Sequence, residues 1–148
     1  RRVTKLKLQA AVARRERLGW PAAPILCADT TVALRQQILG KPINAANAVQ
    51  MLSALAGQEH FVYTALSLYH EQKFYHGLSQ SKVIFAPMTK QEIERYVATQ
   101  EPFGKAGSYA VQGRAAAFIA NIEGSYTGIM GLPLYECAQL LRQINWSI

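Results

Sequence analysis

The chain has 148 residues, of which 50% are apolar and 17% are charged. This composition is typical of a globular protein, and the length suits one domain, or one domain with a modest second lobe. No apolar run reaches the roughly 18 residues that a transmembrane helix needs, and the start of the chain lacks the pattern of a secretory signal. A cytoplasmic location is therefore the default expectation.

The formal net charge of +7 is concentrated at the start of the chain. Residues 1–17 carry seven arginines and lysines against the single acid Glu16, so the remainder is close to neutral. A basic helix can bind nucleic acid or an acidic membrane. A solvated helix face is the simpler interpretation, because no aromatic residues interleave with these charges to stack on bases.

The first predicted elements are a helix and a strand. Residues 3–18 have apolar side chains at helical spacing, in the stripe Val3, Leu6, Ala10 and Ala13. Residues 24–34 predict a strand that begins almost wholly apolar, as a strand buried on both faces does. One acid, Asp29, interrupts this run. A carboxylate in such a strand is costly unless it has partners or a function.

The middle of the chain predicts a turn, a helix, two strands and a second helix. Residues 38–42 form the turn, and Asn44 caps a helix through Leu55 that ends at Gly57. Its predicted inner face consists of Ala48, Met51, Leu52 and Leu55. Residues 60–70 and 74–88 predict antiparallel strands. Thr89 and Glu92 form a capping box for a helix to about residue 99.

The last third predicts a loop, a hairpin and a helix. Residues 101–113 are rich in glycine and polar groups, which is typical of a functional loop. Residues 114–133 predict a hairpin that bends near the EGSY segment. Pro133 opens the last helix, whose core stripe is Leu134, Cys137, Leu140, Leu141 and Ile144. Since helices and strands alternate, we expect an α/β domain with a mixed sheet.

The two cysteines and three histidines give no sign of a metal centre or a disulfide. Cys27 and Cys137 lie in apolar patterns, so each is interpreted as a small buried hydrophobic residue. His60, His70 and His76 fall in strand-like runs without the spacing of metal ligands, which favours structural or surface roles. The sequence also lacks the glycine-rich motifs of Rossmann and P-loop proteins.

Polar residues at the boundaries between apolar runs and turns remain as site candidates. They are Asp29, Thr30, Lys41, Lys105 and Gln112, with Glu123, Ser125 and Tyr126 of the EGSY segment. Lysines in glycine-rich turns suit phosphate binding, because glycine lets the backbone approach and lysine supplies a compact positive charge. A nearby acid could hold a divalent metal or take a proton from water. These residue types favour an enzyme that acts on an anionic ligand.

At these residues the chain resembles the Maf family, whose members are nucleoside triphosphate pyrophosphatases. The resemblance lies in ADTTV at 28–32, ILGKP at 38–42, NAANAVQMLSALAGQEHFVYTAL at 44–66, IERYVATQEPFGKAGSYAVQG at 93–113 and IEGSYTGIMGLPLYECAQLL at 122–141. The blocks occur in order and cover nearly the whole chain. The resemblance implies an inosine-triphosphatase-like α/β fold, an elongated mixed sheet flanked by helices with a cleft between two lobes.

The resemblance also implies an activity. Family members hydrolyse a nucleoside triphosphate to the monophosphate and pyrophosphate with a divalent metal ion, magnesium or manganese, and often form homodimers. Asp29 matches the proton acceptor and is also a candidate metal ligand. Thr30 and Gln112 match positions linked to base selectivity, and their pairing resembles the subgroup that prefers dTTP and UTP. Lys41 and Lys105 match lysines that face the phosphates.

The chain departs from the family pattern at its start. Relatives open with a strand and a Ser-Ala-Ser-Pro-Arg-Arg type segment that carries an arginine linked to substrate binding and an acid linked to the metal. Arg1 and Arg2 precede a helix that matches a later family segment. We therefore expect residues 1–148 to form an incomplete Maf-like domain with weak or no activity. The alternative function is a regulatory or nucleic-acid-binding module that uses the basic first helix.

Overall fold

The computed structural model describes residues 2–147, and Arg1 lies outside this range. Within these residues, five helices and five strands follow one another. They are α1 (Arg2–Arg17), β1 (Ile25–Leu34), β2 (Gln37–Leu39), α2 (Ala45–Leu55), β3 (Glu59–His70), β4 (Lys73–Phe85), α3 (Lys90–Ala98), β5 (Ile119–Glu123), α4 (Tyr126–Met130) and α5 (Leu134–Gln143). Two short 3-10 helices, Ala106–Ser108 and Arg114–Phe118, lie between α3 and β5. Over the described residues, no helix is both long and apolar enough to span a membrane.

The strands form one sheet in the order β2-β1-β3-β4-β5. The expected α/β class is confirmed, but every pairing within residues 2–147 is antiparallel, where a mixed sheet was expected. Short turns account for two of these pairings. In the β3–β4 turn, Glu71 and Gln72 have φ values of 46° and 62°, which match the twist of a tight two-residue hairpin.

One face of the sheet carries two apolar clusters at opposite ends of β3. Val62 belongs to the larger cluster, which α2 and α3 cover, whereas Leu66 and Leu68 pack with Leu140 of α5. Side chains two residues apart share a face of a strand, so Thr64 lies between the two clusters on this same face. A buried polar position therefore separates the two apolar parts of the core.

Local capping signals predicted the starts of α2 and α3 correctly. The Asn44 side chain accepts a hydrogen bond from the backbone nitrogen of Asn47 at the start of α2. Thr89 and Glu92 form the predicted capping box of α3. Of the predicted inner face of α2, Ala48, Leu52 and Leu55 are fully buried, and Met51 is partly buried against the same core.

The predicted apolar stripe of α1 is wrong. Thr4 and Leu8 are the fully buried residues of this helix, while Val3 and Leu6 are 47% and 59% exposed. The helix contains few large apolar side chains, so their spacing alone did not determine which side faces the sheet. Strand β1 is also half-buried for most of its length, where burial on both faces was expected.

The predicted hairpin over residues 114–133 is also wrong. Its first part is a 3-10 helix, and the Glu101 carboxylate accepts hydrogen bonds from the backbone nitrogens of Arg114 and Ala115. Only β5 follows as a strand, and it pairs with β4. Ser125 then accepts a hydrogen bond from the nitrogen of Gly128 and starts α4 instead of a turn. In α5, Leu140 is buried as predicted, but Leu134 is 55% exposed.

Candidate active site

A cleft with a volume of about 320 Å³ opens beside β1. Its walls come from β1, the β2–α2 connection, the loop after α3 and the end of α4. Five of the sequence candidates line it: Asp29, Thr30, Lys41, Lys105 and Gln112. The structure therefore brings together residues that lie up to 83 positions apart in the sequence. Lys7 and Tyr109 line the same cleft and were not among the sequence candidates.

Asp29 stands opposite Ala65 in the register of β1 and β3, and its carboxylate faces α1. The side-chain nitrogen of Lys7 donates a hydrogen bond to Asp29 Oδ1 and forms an ion pair with it. Both side chains keep solvent contact, with exposed fractions of 50% for Lys7 and 27% for Asp29. One charge of the basic helix thus belongs to the cleft and not to a solvated face. No spacing rule links residues 7 and 29, so this partner was missed.

A backbone contact holds the two other lysine-bearing segments side by side. The nitrogen of Gly107 donates a hydrogen bond to the Gly40 carbonyl oxygen at 3.0 Å. Gly107 has a φ of 71°, and a Cβ atom there would lie 2.9 Å from Cγ1 of Val32. Only glycine tolerates both the backbone conformation and this close approach to β1. The contact brings the segments that carry Lys41 and Lys105 to one rim of the cleft.

Thr30 takes part in a hydrogen-bond chain that ends on α4. Its hydroxyl lies 2.8 Å from the hydroxyl of Thr64, its cross-strand partner, and the Thr64 hydroxyl donates to the Gly128 carbonyl at 2.7 Å. Helix α4 can approach this closely because residue 128 is glycine. A Cβ there would lie 2.7 Å from Oγ of Ser79.

Glu101 and Tyr96 fix the loop that carries Lys105 and Gln112. The Tyr96 hydroxyl donates to Glu101 Oε1 at 2.8 Å and accepts from the backbone nitrogen of Ala110 at 3.3 Å. Partial burial by itself raises the pKa of Glu101, but hydrogen bonds from Arg114, Tyr96 and Ala115 outweigh it and hold this pKa below its usual value. The hydrogen-bonded acid therefore closes both ends of the loop.

Tyr109 forms part of the cleft wall and is held from behind by His60. His60 Nε2 lies 2.8 Å from the Tyr109 hydroxyl, and both side chains pack edge to face on Phe85. Burial lowers the pKa of His60 to about 4 and raises the pKa of Tyr109. Both groups are thus neutral at physiological pH, and His60 has the structural role predicted for it.

Charge in the cleft is predominantly positive. Three lysines, Lys7, Lys41 and Lys105, line it together with the single carboxylate of Asp29. Such a site suits a ligand with several negative charges. Within residues 2–147 no group of three or more His, Cys, Asp and Glu side chains could hold a metal ion. One carboxylate is nevertheless the protein contribution expected when magnesium arrives with phosphate oxygens and water.

The remaining candidates lie outside the cleft. Glu123 pairs with Lys82 at 2.8 Å across β5 and β4. Ser125 caps α4, and its backbone nitrogen donates to the Ser81 hydroxyl at 2.9 Å. The EGSY segment therefore attaches α4 to the sheet. Cys27 and Cys137 are free and half-buried.

The fold is an antiparallel sheet flanked by helices, and its cleft places three lysines around the carboxylate of one strand residue. These features define the class as an α/β protein with a site for a polyphosphate-like anion. Comparison with known proteins makes this specific. Residues 1–144 match the family model described as Maf-like protein. The chain belongs to the Maf family.

Several relatives are more than half identical to the chain. The dTTP/UTP pyrophosphatase of Polaromonas sp. is 58% identical over 148 residues, which are 100% of this chain and 73% of the relative. The protein of the same name from Albidiferax ferrireducens is 53% identical over 148 residues, 100% of this chain and 74% of the relative. That from Cupriavidus pinatubonensis is 57% identical over 142 residues, 96% of this chain and 71% of the relative.

Proposed function

We propose that the protein is a nucleoside triphosphate pyrophosphatase that acts on dTTP and UTP. The observation that carries the proposal is the convergence of Asp29 with three lysines in one cleft that also contains Thr30 and Gln112. The names and the extent of similarity of the relatives support the same activity. The products are the nucleoside monophosphate and pyrophosphate.

The charged residues of the cleft have two roles: the lysines bind phosphate and the carboxylate accepts a proton. Lys41 and Lys105 bind the phosphate chain, because ammonium groups offset the charge that grows on the oxygens as a phosphoanhydride bond breaks. Asp29 accepts a proton from the water that attacks the α-phosphorus, and Lys7 positions its carboxylate. The bond from the α-phosphorus to the bridging oxygen breaks, and pyrophosphate leaves with the electron pair.

A divalent metal ion, magnesium or manganese, completes this proposal. Asp29 would hold it together with phosphate oxygens of the substrate, in the manner that needs few protein ligands. When bound, the ion neutralises negative charge on the polyphosphate. The proposal also includes a homodimer, for which sedimentation velocity is the test. A single nucleotide-pyrophosphatase domain over residues 1–148 and a cytoplasmic location stay predictions.

Pyrophosphate release from a panel of nucleoside triphosphates with magnesium tests the function. We expect UTP and dTTP to exceed CTP, ATP and GTP in kcat/KM. A second protein should carry, ahead of Arg1, the opening segment of the Polaromonas relative, since the family pattern places an arginine and an acid there. Undiminished turnover without this segment would show that the expectation of weak activity is wrong. Purine preference in both proteins would contradict the pyrimidine assignment, and no release by either would contradict the function.

A further inference from the structure

Thr64 does not line the cleft, yet it determines what Thr30 can offer there. Thr64 is fully buried on the sheet face between the two apolar clusters. Its hydroxyl contacts two oxygen atoms, the Gly128 carbonyl at 2.7 Å and the Thr30 hydroxyl at 2.8 Å. A hydroxyl has one hydrogen and two lone pairs. The directions of these two hydrogen bonds are therefore coupled.

The carbonyl end fixes both directions. The Gly128 oxygen only accepts, so the single hydrogen of Thr64 is directed to it. The contact between the two hydroxyls then requires Thr30 to donate to Thr64. Because Thr30 donates its single hydroxyl hydrogen to Thr64, only its lone pairs are available to a ligand. Thr30 therefore presents a hydrogen-bond acceptor to a ligand in the cleft.

The residues around Thr30 suit the nucleobase of a nucleotide better than its phosphate chain. Alternation along β1 places Thr30 on the same face as Val32 and on the opposite face from Asp29. Val32, Val62 and Ile129 supply an apolar wall of the cleft beside it. An aromatic ring is the part of a nucleotide that such a wall accommodates, whereas the lysines and Asp29 suit the phosphates.

We propose that Thr64 is a selectivity-determining residue, which locks Thr30 as an acceptor for the N3–H group of a keto pyrimidine. This inference rests on the proposed nucleotide function and deepens it. Uracil and thymine carry a hydrogen on N3, while N3 of cytosine is an acceptor. Cytosine would set a lone pair against the lone pairs of Thr30, and a site with mismatched hydrogen bonds rejects such a ligand. Thr64 acts through Thr30 and touches no substrate.

Replacing Thr64 with valine tests the lock, because valine keeps the shape and removes the hydroxyl. Thr30 could then turn its hydrogen toward the ligand and accept cytosine. The probes are the α,β-methylene analogues of UTP and CTP, which cannot be cleaved between the α- and β-phosphates, with affinities measured by calorimetry in magnesium. We expect T64V to reduce the preference for the uridine analogue about tenfold, mainly through tighter binding of the cytidine analogue.

Three further variants separate selectivity from folding. T64S keeps the hydroxyl and should keep the preference. T30V removes the acceptor without creating a donor, so it should weaken binding of the uridine analogue and give the cytidine analogue no gain. T31V makes the same chemical change on the opposite face of β1, away from the cleft, and should match the wild type. Thermal unfolding of each variant shows whether it is folded at the temperature of measurement.

The outcomes distinguish this inference from the function on which it rests. Unchanged preference in T64V, or a wild type that binds both analogues equally, would overturn the role of Thr64. So would a T64V effect on the ratio of ribose to deoxyribose ligands alone, since Thr30 would then face the sugar. If T30V and T64V are both unfolded, T64S still tests the role. Loss of the uridine preference in T64S, which keeps the hydroxyl, would then overturn it. If the wild type selects the uridine analogue, but neither it nor the protein with the added opening segment releases pyrophosphate, the activity is contradicted and the lock stays supported.

Discussion

Lys7 of α1 donates a hydrogen bond to Oδ1 of Asp29 in β1, so two residues that are 22 positions apart in the sequence join the helix to the strand through one charged pair. A lysine beside a carboxylate can serve two purposes: it orients the acid, and it adds positive charge for a polyphosphate. Both side chains remain partly open to solvent and to the cleft. The pair is therefore accessible to a ligand and is not a buried structural ion pair.

Asp29→Asn should abolish most turnover while the protein stays folded. The amide keeps the shape of the side chain but cannot accept a proton from water at neutral pH. Loss of general base catalysis typically lowers kcat by a factor on the order of 10² to 10⁴. Pyrophosphate release under saturating UTP measures it. Glu94→Gln, which also converts a carboxylate to an amide but at an exposed position of α3, is the matched control and should turn over normally. Full activity of Asp29→Asn would remove Asp29 from the chemistry.

Lys7→Met should reduce kcat/KM for UTP by roughly tenfold to a hundredfold, because a hydrogen bond to a charged group contributes about 1.5–3 kcal/mol. Lys5→Met removes the same charge from the same helix, at an exposed position that does not line the cleft. We expect this control to retain wild-type kinetics. If both variants lose activity equally, the general charge of the helix matters and the contact with Asp29 does not.

Glu101→Gln and Gly113→Ala should weaken substrate binding in the same way, because both disturb the contact of the Glu101 side chain with the backbone at residues 113 and 114. An amide nitrogen cannot accept the hydrogen bond that the Arg114 nitrogen donates to Glu101 Oε2. A Cβ at residue 113 would lie 2.4 Å from the Glu101 carboxylate and displace it. Either change frees the loop that carries Lys105 and Gln112. We expect each to lower the free energy of unfolding by about 1–2 kcal/mol and to raise KM more than it lowers kcat.

A comparison with Gly104→Ala tests the reason for this defect. Residue 104 lies in the same loop, and a Cβ there would meet nothing within 4 Å, although its φ of 76° disfavours alanine. It should cost stability through backbone strain without moving Glu101. If Gly104→Ala reproduces the KM defect in full, loop strain explains the result and displacement of Glu101 does not.

The sequence predicted the helix caps, which depend on neighbouring residues, and the cleft candidates, which lie where apolar runs meet turns. Asn44 and Thr89 cap helices through side chains within three residues, so their roles follow from the sequence alone. Asp29 stood out because a carboxylate in an apolar strand is costly, and Lys41 and Lys105 because lysines in glycine-rich turns suit phosphate binding. Thr30 and Gln112 gained their expected roles from the family resemblance. Lys7 could not be found this way, since its partner depends on how α1 packs against β1.

The missed hairpin has a similar cause. Residues 115–120 are a continuous apolar run, which suits a strand, but the Glu101 carboxylate accepts hydrogen bonds from the backbone nitrogens of Arg114 and Ala115, and a 3-10 helix forms there instead. The acid lies 13 positions earlier in the chain, beyond the reach of a local pattern. Thr64 was likewise invisible as a functional residue, because its importance depends on the carbonyl of Gly128. Long-range hydrogen bonds, and not local propensity, determined both.

His60 should make the protein less stable as the pH falls from about 6.5 to about 4. Burial lowers its pKa from 6.5 to about 4 in the folded state. Between these values the unfolded chain binds a proton that the folded protein does not, so stability is fully present above pH 6.5 and is lost as the pH falls. The loss attributable to this group is about 3 kcal/mol. His60→Gln cannot titrate here. The difference in unfolding free energy between wild type and variant, measured in urea, should therefore shrink by that amount across this window. A constant difference would mean that His60 has the same pKa in the folded and unfolded states.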